Sequence, residues 1–289
     1  MTNPIDDVTR LIGVPIKKRH AARLTMRVAG SGPALVLLHG GGGSWTHWAR
    51  NIRALSRDFT LYLPDQPGMG DSPNVPAQID IEPYTDQVIA AIDAVLPPPA
   101  RYGIAGFSFG GLNAAVIAAR QPDRVRALTM VGPGGFRKNE AFRLDLPAKS
   151  PDMTDAEIDA LHRRNLGTLL IHDQRLITDR LVRLQRHNIE HARYNGRKLG
   201  YGDYLTRYLP LVRCPAQLML GADDPLPRPS VRARADHIRE LAPHCETHIL
   251  DRAGHWTNYE QADKVNELMA DFHRRAEAAG EAAPLEENA

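Results

Sequence analysis

Runs that are apolar at every position limit this chain most. Leu35-Val-Leu-Leu38 is the plainest of them. A strand with one wet face alternates apolar and polar side chains. A run without alternation is buried on both faces, and such strands lie inside parallel sheets. Strands are predicted at Arg23–Val28, Leu35–His39, Thr60–Pro64, Tyr102–Phe107, Ala127–Val131, Gln217–Leu220 and Thr247–Leu250. Helical patterns separate them. Tyr84–Leu96 puts Val88, Ile89, Ile92, Val95 and Leu96 on one face, and Pro97-Pro-Pro99 stops it. Gly110–Arg120 is rich in Ala, Val and Ile, with Pro122 after it, and Val231–Leu241 and Ala262–Arg275 complete the set. Strands alternating with helices specify an α/β fold, a mostly parallel central sheet flanked by helices.

One segment breaks the rhythm. From Pro133 to Val212 only helical stretches such as Thr154–Asn165 and Thr178–Tyr194 are found, and alternation resumes at Cys214. The expected organisation is an α/β core over 22–132 and 213–280, carrying an all-helical cap insertion over 133–212. The tail Ala276–Ala289, rich in Ala and Glu, is expected to fray.

Composition narrows the class of partner. With 43% hydrophobic and 24% charged residues the chain is neither disordered nor fibrous. Lys+Arg 36 against Asp+Glu 34 leaves a net charge of +2, which argues against nucleic acid as the main partner. No run approaches the ~18 apolar residues of a membrane span. The first ten residues hold no apolar signal segment. Cys214 and Cys245 form no CxxC pair and are expected as free buried thiols in a reducing cytosol, so the expected compartment is cytoplasmic. No His/Cys cluster has zinc spacing, and no metal or organic cofactor is expected. The expected partner is a small-molecule substrate, with a homo-oligomer left open.

The chemistry starts at Gly106-Phe-Ser108-Phe-Gly110, a G-x-S-x-G that follows a strand and opens a small-residue helix. That context supplies the sharp strand-to-helix turn that pushes a serine hydroxyl clear of the backbone. A serine is a weak nucleophile until a base takes its proton. Of 12 histidines, His255 lies just past the last strand, in Asp251-Arg-Ala-Gly-His-Trp256, where α/β catalytic groups converge. An acid must orient that base, and Asp223 and Asp224 both stand where the strand Gln217–Leu220 ends. The loop His39-Gly40-Gly41-Gly42-Gly43 leaves backbone N–H groups open to a ligand. The amide of Gly41, paired with that of Phe109 after the nucleophile, is the expected oxyanion hole. Phosphate binding by this loop is disfavoured, because it carries neither a lysine nor a phosphate-binding glycine pattern.

Taken with Pro64-Asp-Gln-Pro-Gly-Met-Gly-Asp-Ser72, these motifs resemble an α/β-hydrolase fold protein over 22–275. The order Ser…Asp…His is that fold's order. The resemblance selects Asp224 as the acid and makes the helical insertion the family's cap. Met130-Val-Gly-Pro-Gly-Gly135, Ile171-His-Asp-Gln-Arg-Leu-Ile-Thr178 and Gly254-His-Trp-Thr257 followed by Glu260-Gln-Ala-Asp263 are similar to the meta-cleavage-product hydrolases, which cut a C–C bond in ring-opened aromatic catabolites. Two positions depart from that pattern. Phe107 stands where those hydrolases carry Asn. Gln185 stands where they carry a cap Arg that grips the substrate carboxylate. Gln185 shares a helical face with Leu181, Ile189 and Ala192 and is expected to face inward, with Arg183 and Arg186 beside it. Gly42, Phe107, Gln185 and Trp256 are the residues expected around the substrate. The expected activity is a serine hydrolase acting on a small, partly apolar carbonyl compound. The rivals are a carboxylesterase or lactonase, a cofactor-free oxygenase or perhydrolase, and a non-catalytic ligand receptor.

Overall fold

The structure, a computed structural model, describes residues 3–136, 144 and 146–282. Its strands are β1 (Lys17–Ala21), β2 (Leu24–Ala29), β3 (Ala34–Leu38), β4 (Thr60–Pro64), β5 (Tyr102–Phe107), β6 (Val125–Val131), β7 (Ala216–Gly221) and β8 (Cys245–Leu250). They form one sheet in the order β1-β2-β4-β3-β5-β6-β7-β8. Only the pairs β1–β2 and β2–β4 are antiparallel. The five strands Leu35 to Leu250 that run parallel beyond β4 need crossovers, and helices supply them. The helices are α1 (Pro4–Ile12), α2 (Ala49–Leu55), α3 (Ile81–Val95), α4 (Phe109–Arg120), α5 (Asp155–Asn165), α6 (Asp179–Glu190), α7 (Arg197–Gly200), α8 (Tyr204–Tyr208), α9 (Val231–Leu241), α10 (Thr257–Glu260) and α11 (Ala262–Ala282). Every side chain of β5 and β7 is buried, as continuous apolar runs require. One core gathers α3, α4 and α9 on one sheet face, and a second gathers α1, α2 and α11 on the other.

Of the elements that differ from the sequence reading, which also lacked α2, α7, α8 and α10, four show the physical reasons. β1 is Lys-Lys-Arg-His-Ala with four exposed residues, so it carries no apolar signal; it pairs only with β2, at an edge that its lysines keep from pairing further. α1 announces itself by caps instead: Asn3 accepts from the amide of Ile5, Pro4 opens the helix, and Gly13 closes it at φ 64°. α6 stops at Glu190, short of the expected Tyr194, because the amides of Arg193 and Tyr194 turn onto the carbonyl of Gly68 at 2.8 and 3.1 Å. α11 continues to Ala282 rather than fraying after Arg275, since Ala and Glu are strong helix formers. The last part of the expected tail, 283–289, lies outside the described residues, as do 137–143 and 145 of the expected insertion.

Between β6 and β7 the described residues contain helices and turns but no strand. This segment is fastened to the core at several points. Asn188 on α6 accepts from the hydroxyls of Ser44 (2.9 Å) and Thr46 (3.2 Å), directly after the glycine loop. The Gly134 amide donates to the carbonyl of Ser108 at 3.1 Å, and within the segment Gly135 donates to the carbonyl of Gly200 and accepts from the amide of Leu205, both at 2.8 Å.

Three histidines are fully enclosed. Burial pushes His39 down to about 4, and His47 and His273 down to about 3. Burial pushes Asp65 the other way, up to about 6, against the amides of Trp45 and Asp71 that favour its charge. The linkage has a definite sign. Each histidine binds a proton on unfolding below about pH 6.5, whereas Asp65 releases one above 3.8. Between about pH 4.5 and 5.5 the three histidines outweigh the single aspartate, so these groups bind more protons in the unfolded chain and stability rises with pH. Urea unfolding midpoints across that window are expected to climb steeply. A flat or falling profile would show that these histidines are not held neutral.

Candidate active site

Ser108 joins β5 to α4 with φ 53° and ψ −114°, a conformation that residues with a side chain rarely adopt. Its neighbours impose it. A Cβ on Gly106 would lie 2.0 Å from the carbonyl oxygen of Gly110, and one on Gly110 would lie 2.3 Å from that of Leu38. The Ser108 amide donates to Val131 (2.8 Å), and its carbonyl accepts from Gly111, Leu112 and Gly134. The side chain makes no capping bond to the helix it precedes, so Oγ is free to turn outward.

Oγ lies 2.8 Å from Nε2 of His255, and Nδ1 of His255 lies 2.8 Å from Oδ2 of Asp224. Asp224 Oδ1 accepts from the amide of Leu226 at 2.9 Å. The Asp224 and His255 side chains are 1% and 5% exposed. An ionised Asp224 accepts only, so Nδ1 carries the ring proton and Nε2 is left as acceptor for the serine hydroxyl. All three groups stand at the carboxyl edge of the sheet, where the ladder pairs Phe107 with Val131, Val131 with Met219 and Gly221 with Leu250. Asp223 is elsewhere: it is exposed, with Oδ2 3.8 Å from Nε2 of His172.

The glycine loop faces this chain. Gly41 is exposed, Gly42 takes φ 64°, and a Cβ on Gly41 would stand 3.8 Å from Cβ of Phe109. Phe109 opens α4, so its amide is one of the helix's unpaired N-terminal donors. The two expected oxyanion donors therefore belong to adjacent residues in space. Beneath the loop lies a neutral network that sequence reading saw only in part. His39 donates from Nδ1 to the carbonyl of Gly40 (2.8 Å), and its Nε2 accepts from the amide of Gln66 (2.8 Å). Asn113 donates to Gln66 Oε1 (2.7 Å). His47 Nδ1 accepts from the amide of Gly40 (3.1 Å). His47 belongs to no motif, and Gln66 lies in Pro64-Asp-Gln-Pro-Gly-Met-Gly-Asp-Ser72 without its contact to His39 being readable there, so only the loop's need for internal partners could have pointed to their roles.

The residues expected around the substrate divide. Gln185 is buried beside His47, with Nε2 3.5 Å from the carbonyl of Gly42. Ile189, on the same helix, is 43% exposed and meets the chain at Gly42, where its Cδ1 would lie 2.7 Å from an added Cβ. Phe107 and Trp256 are corrections to the expected wall. They are 1% and 0% exposed, their rings stack at 6.2 Å, and the Trp256 indole donates to the carbonyl of His47 at 3.0 Å. Both lie under the loop and support it. Arg183 is exposed, and Arg186 is engaged by Asp155 (2.6 Å), Asp159 (3.1 Å) and Glu190 (3.1 Å). Neither stands in for a guanidinium at Gln185. Among the described residues no group of three or more His, Cys, Asp or Glu side chains could hold a metal ion, and no helix is long and apolar enough to cross a membrane. Cys214 and Cys245 are buried and unpaired.

A serine on a strained turn, a buried histidine and a buried aspartate, delivered in that chain order at the carboxyl edge of a mostly parallel sheet, define the α/β-hydrolase class. The alpha/beta hydrolase family matches residues 35–268, and the chain belongs to it. It is 28% identical over 271 residues, covering 86% of this chain and 91% of the relative, to a 2-hydroxy-6-oxononadienedioate/2-hydroxy-6-oxononatrienedioate hydrolase of Comamonas testosteroni. A meta-cleavage product hydrolase from Pseudomonas fluorescens superposes with a TM-score of 0.72 at 24% identity, covering 91% of this chain and 98% of that one. A naproxen esterase from Bacillus subtilis superposes with a TM-score of 0.75 at 21% identity, covering 93% and 95%.

The geometry separates the two neighbouring aspartates. Asp224→Asn is expected to lower kcat by about 10⁴-fold, because an amide at that place favours the wrong tautomer of His255. Asp223→Asn is expected to stay within a few-fold of wild type. Steady-state ester hydrolysis by the two variants checks this, and the reverse ranking would contradict it.

Proposed function

We propose that the protein is a serine hydrolase of small, partly apolar carbonyl compounds, with Ser108 as nucleophile, His255 as general base and acid, and Asp224 as the group that orients the imidazole. The observation that carries this reading is the continuous chain of two 2.8 Å contacts from Ser108 through His255 to Asp224. In this reading His255 Nε2 takes the hydroxyl proton as Oγ attacks the substrate carbonyl. The oxyanion that forms is held by the amides of Gly41 and Phe109, each worth about 3 kcal/mol in comparable sites. Collapse expels the leaving group, which takes the proton back from His255, and water then releases the acyl group from Ser108 by the same steps in reverse order. The core over 22–132 and 213–280 supplies this machinery, and the helical segment 133–212 is its cap.

The substrate class follows from Gln185. The buried amide can hydrogen-bond a carbonyl, hydroxyl or ester oxygen but offers no charge to a carboxylate, and Arg186 is occupied by three acidic side chains. Nearby His39 and His47 are held neutral by burial. A neutral ester or lactone therefore suits this end of the site better than an anion. The second reading, cleavage of a carboxylate-bearing dienoate at a C–C bond, is favoured by the names of the relatives.

Ser108→Ala and His255→Ala are each expected to reduce turnover of short p-nitrophenyl esters by ~10⁴–10⁶-fold, with similar losses because the groups act as one unit. More than a tenth of wild-type activity in Ser108→Ala would overturn the nucleophilic mechanism and favour base-only oxygenase chemistry. A charge-assisted bond to a carboxylate is worth ~1.5–3 kcal/mol, so Gln185→Arg is expected to raise kcat/KM on carboxylate-bearing dienoates by roughly 10–150-fold while wild type favours neutral esters. A wild type that already prefers the dienoate by more than about tenfold would contradict the neutral-substrate reading.

A further inference from the structure

We propose that Glu260 is a positioning residue: its carboxylate latches the cap strap of residues 170–173 to the loop that carries His255, so that the base is in place only when the cap is docked. This rests on the reading of His255 as the general base. Glu260 closes α10, five residues after His255, and its carboxylate accepts three backbone amides. Oε2 accepts from Gly254 (2.6 Å) and His172 (3.1 Å), and Oε1 accepts from Asp173 (2.8 Å). One of these amides immediately precedes the catalytic histidine and two lie in the cap. The amide on the other side of His255, that of Trp256, donates to the carbonyl of Leu170 at 2.8 Å. Both neighbours of His255 are thus tied to the same four-residue stretch of cap, one through Glu260 and one directly.

The fit is close. A Cβ on Gly254 would lie 2.9 Å from the Leu170 oxygen, 3.0 Å from the His172 nitrogen and 3.2 Å from Glu260 Oε2, so the strap lies flat against the loop only because residue 254 is glycine. The strap leaves a π-helical turn, Leu166–Leu170, whose last carbonyl is the one bound by Trp256. Wide turns of this kind free a carbonyl from its helical partner, and here the freed group serves the catalytic loop. A carboxylate holding amide donors makes charge-assisted bonds, stronger than neutral ones. Without it, three donors at the cap boundary lose their acceptor, and the loop is held on one side only. The charged and titratable groups around the latch are His172, Asp173 with its partner Arg175, and Asp223, while Asp224 and His47 face His255.

The test compares wild type, Glu260→Ala and Glu260→Gln in the full chain. It uses p-nitrophenyl acetate turnover across pH, the rate of labelling by a fluorophosphonate, and hydrogen exchange at the amides of residues 172, 173 and 254. Misplacing a catalytic group by about 1 Å costs on the order of a hundredfold, so kcat is expected to fall by about that factor in Glu260→Ala with KM within about threefold. Labelling is expected to slow in proportion. The acid limb of kcat/KM is expected to move to lower pH, because a loosened His255–Asp224 pair stabilises the imidazolium less. Glu260→Gln keeps one acceptor oxygen and is expected to fall between the two, which keeps the test open if Glu260→Ala folds poorly. Exchange is expected to speed up at the three amides and to stay unchanged in β5. Unchanged kcat and pH profile in both variants would overturn the latch, and so would a loss that disappears on stabilising the fold with glycerol. Wild type that neither labels nor turns over would sink the hydrolase reading itself, which is a separate result.

Discussion

The crossing of α4 over the end of β3 is the contact on which the rest of the molecule depends. The backbone of Gly110 passes so close to Leu38 and Gly106 that no side chain fits at either glycine, and Ser108 is bent to φ 53° between them. Such a conformation costs of order 1–3 kcal/mol. The helix that enforces it buries Leu112, Val116 and Ile117 completely, each worth roughly 1.5–3 kcal/mol, so packing outweighs the strain. The same crossing sets Phe109 against the glycine loop and aims Oγ at His255. Packing, strain and chemistry are one arrangement here.

Around that turn the site is almost free of charge. Asp224 and His255 are the ionisable pair, and the histidines beneath the glycine loop are neutral because burial denies them a proton. In a site with few charges, a developing oxyanion would meet amides already oriented by the fold, which need no reorganisation at the moment of reaction. Gln185 continues the pattern on the cap side. On the proposed reading the site stabilises charge that appears during reaction, and among the described residues Gln185, Arg183 and Arg186 bring no free cation to a charge already present on the substrate. The helical segment between β6 and β7 meets this region through α6, where Asn188 accepts from Ser44 and Thr46, and through the amides of His172 and Asp173, which reach Glu260.

Much of this could be read from the residues. The continuous apolar runs at Leu35–Leu38 and Tyr102–Phe107 became central strands because burial on both faces leaves no other place for them. The G-x-S-x-G turn was legible because its glycines answer a steric demand that has no other solution. What escaped was of two kinds. β1 is held by edge pairing, which leaves little apolar signal, and α1 is a nine-residue helix with only Val8 and Ile12 buried, outside the strand–helix alternation that was read. His47, Gln66 and Glu260 act through contacts to backbone groups distant in sequence, and a hydrogen bond to a remote amide leaves no spacing to read. Trp256 illustrates the converse limit: its place beside His255 in sequence suggested a pocket wall, but its indole N–H found the carbonyl of His47 beneath the loop, and the ring is buried there.

The claim at the centre is that Ser108 forms a covalent acyl intermediate. Rapid mixing of the enzyme with p-nitrophenyl acetate, quenching in acid before the first turnover ends, and mass analysis of the peptides measures this directly. The account predicts a burst of p-nitrophenol of about one equivalent per active site and an acetyl group on the peptide that contains Ser108, absent in Ser108→Ala. Full turnover with no burst, no acetylated Ser108 peptide and undiminished activity in Ser108→Ala would contradict it.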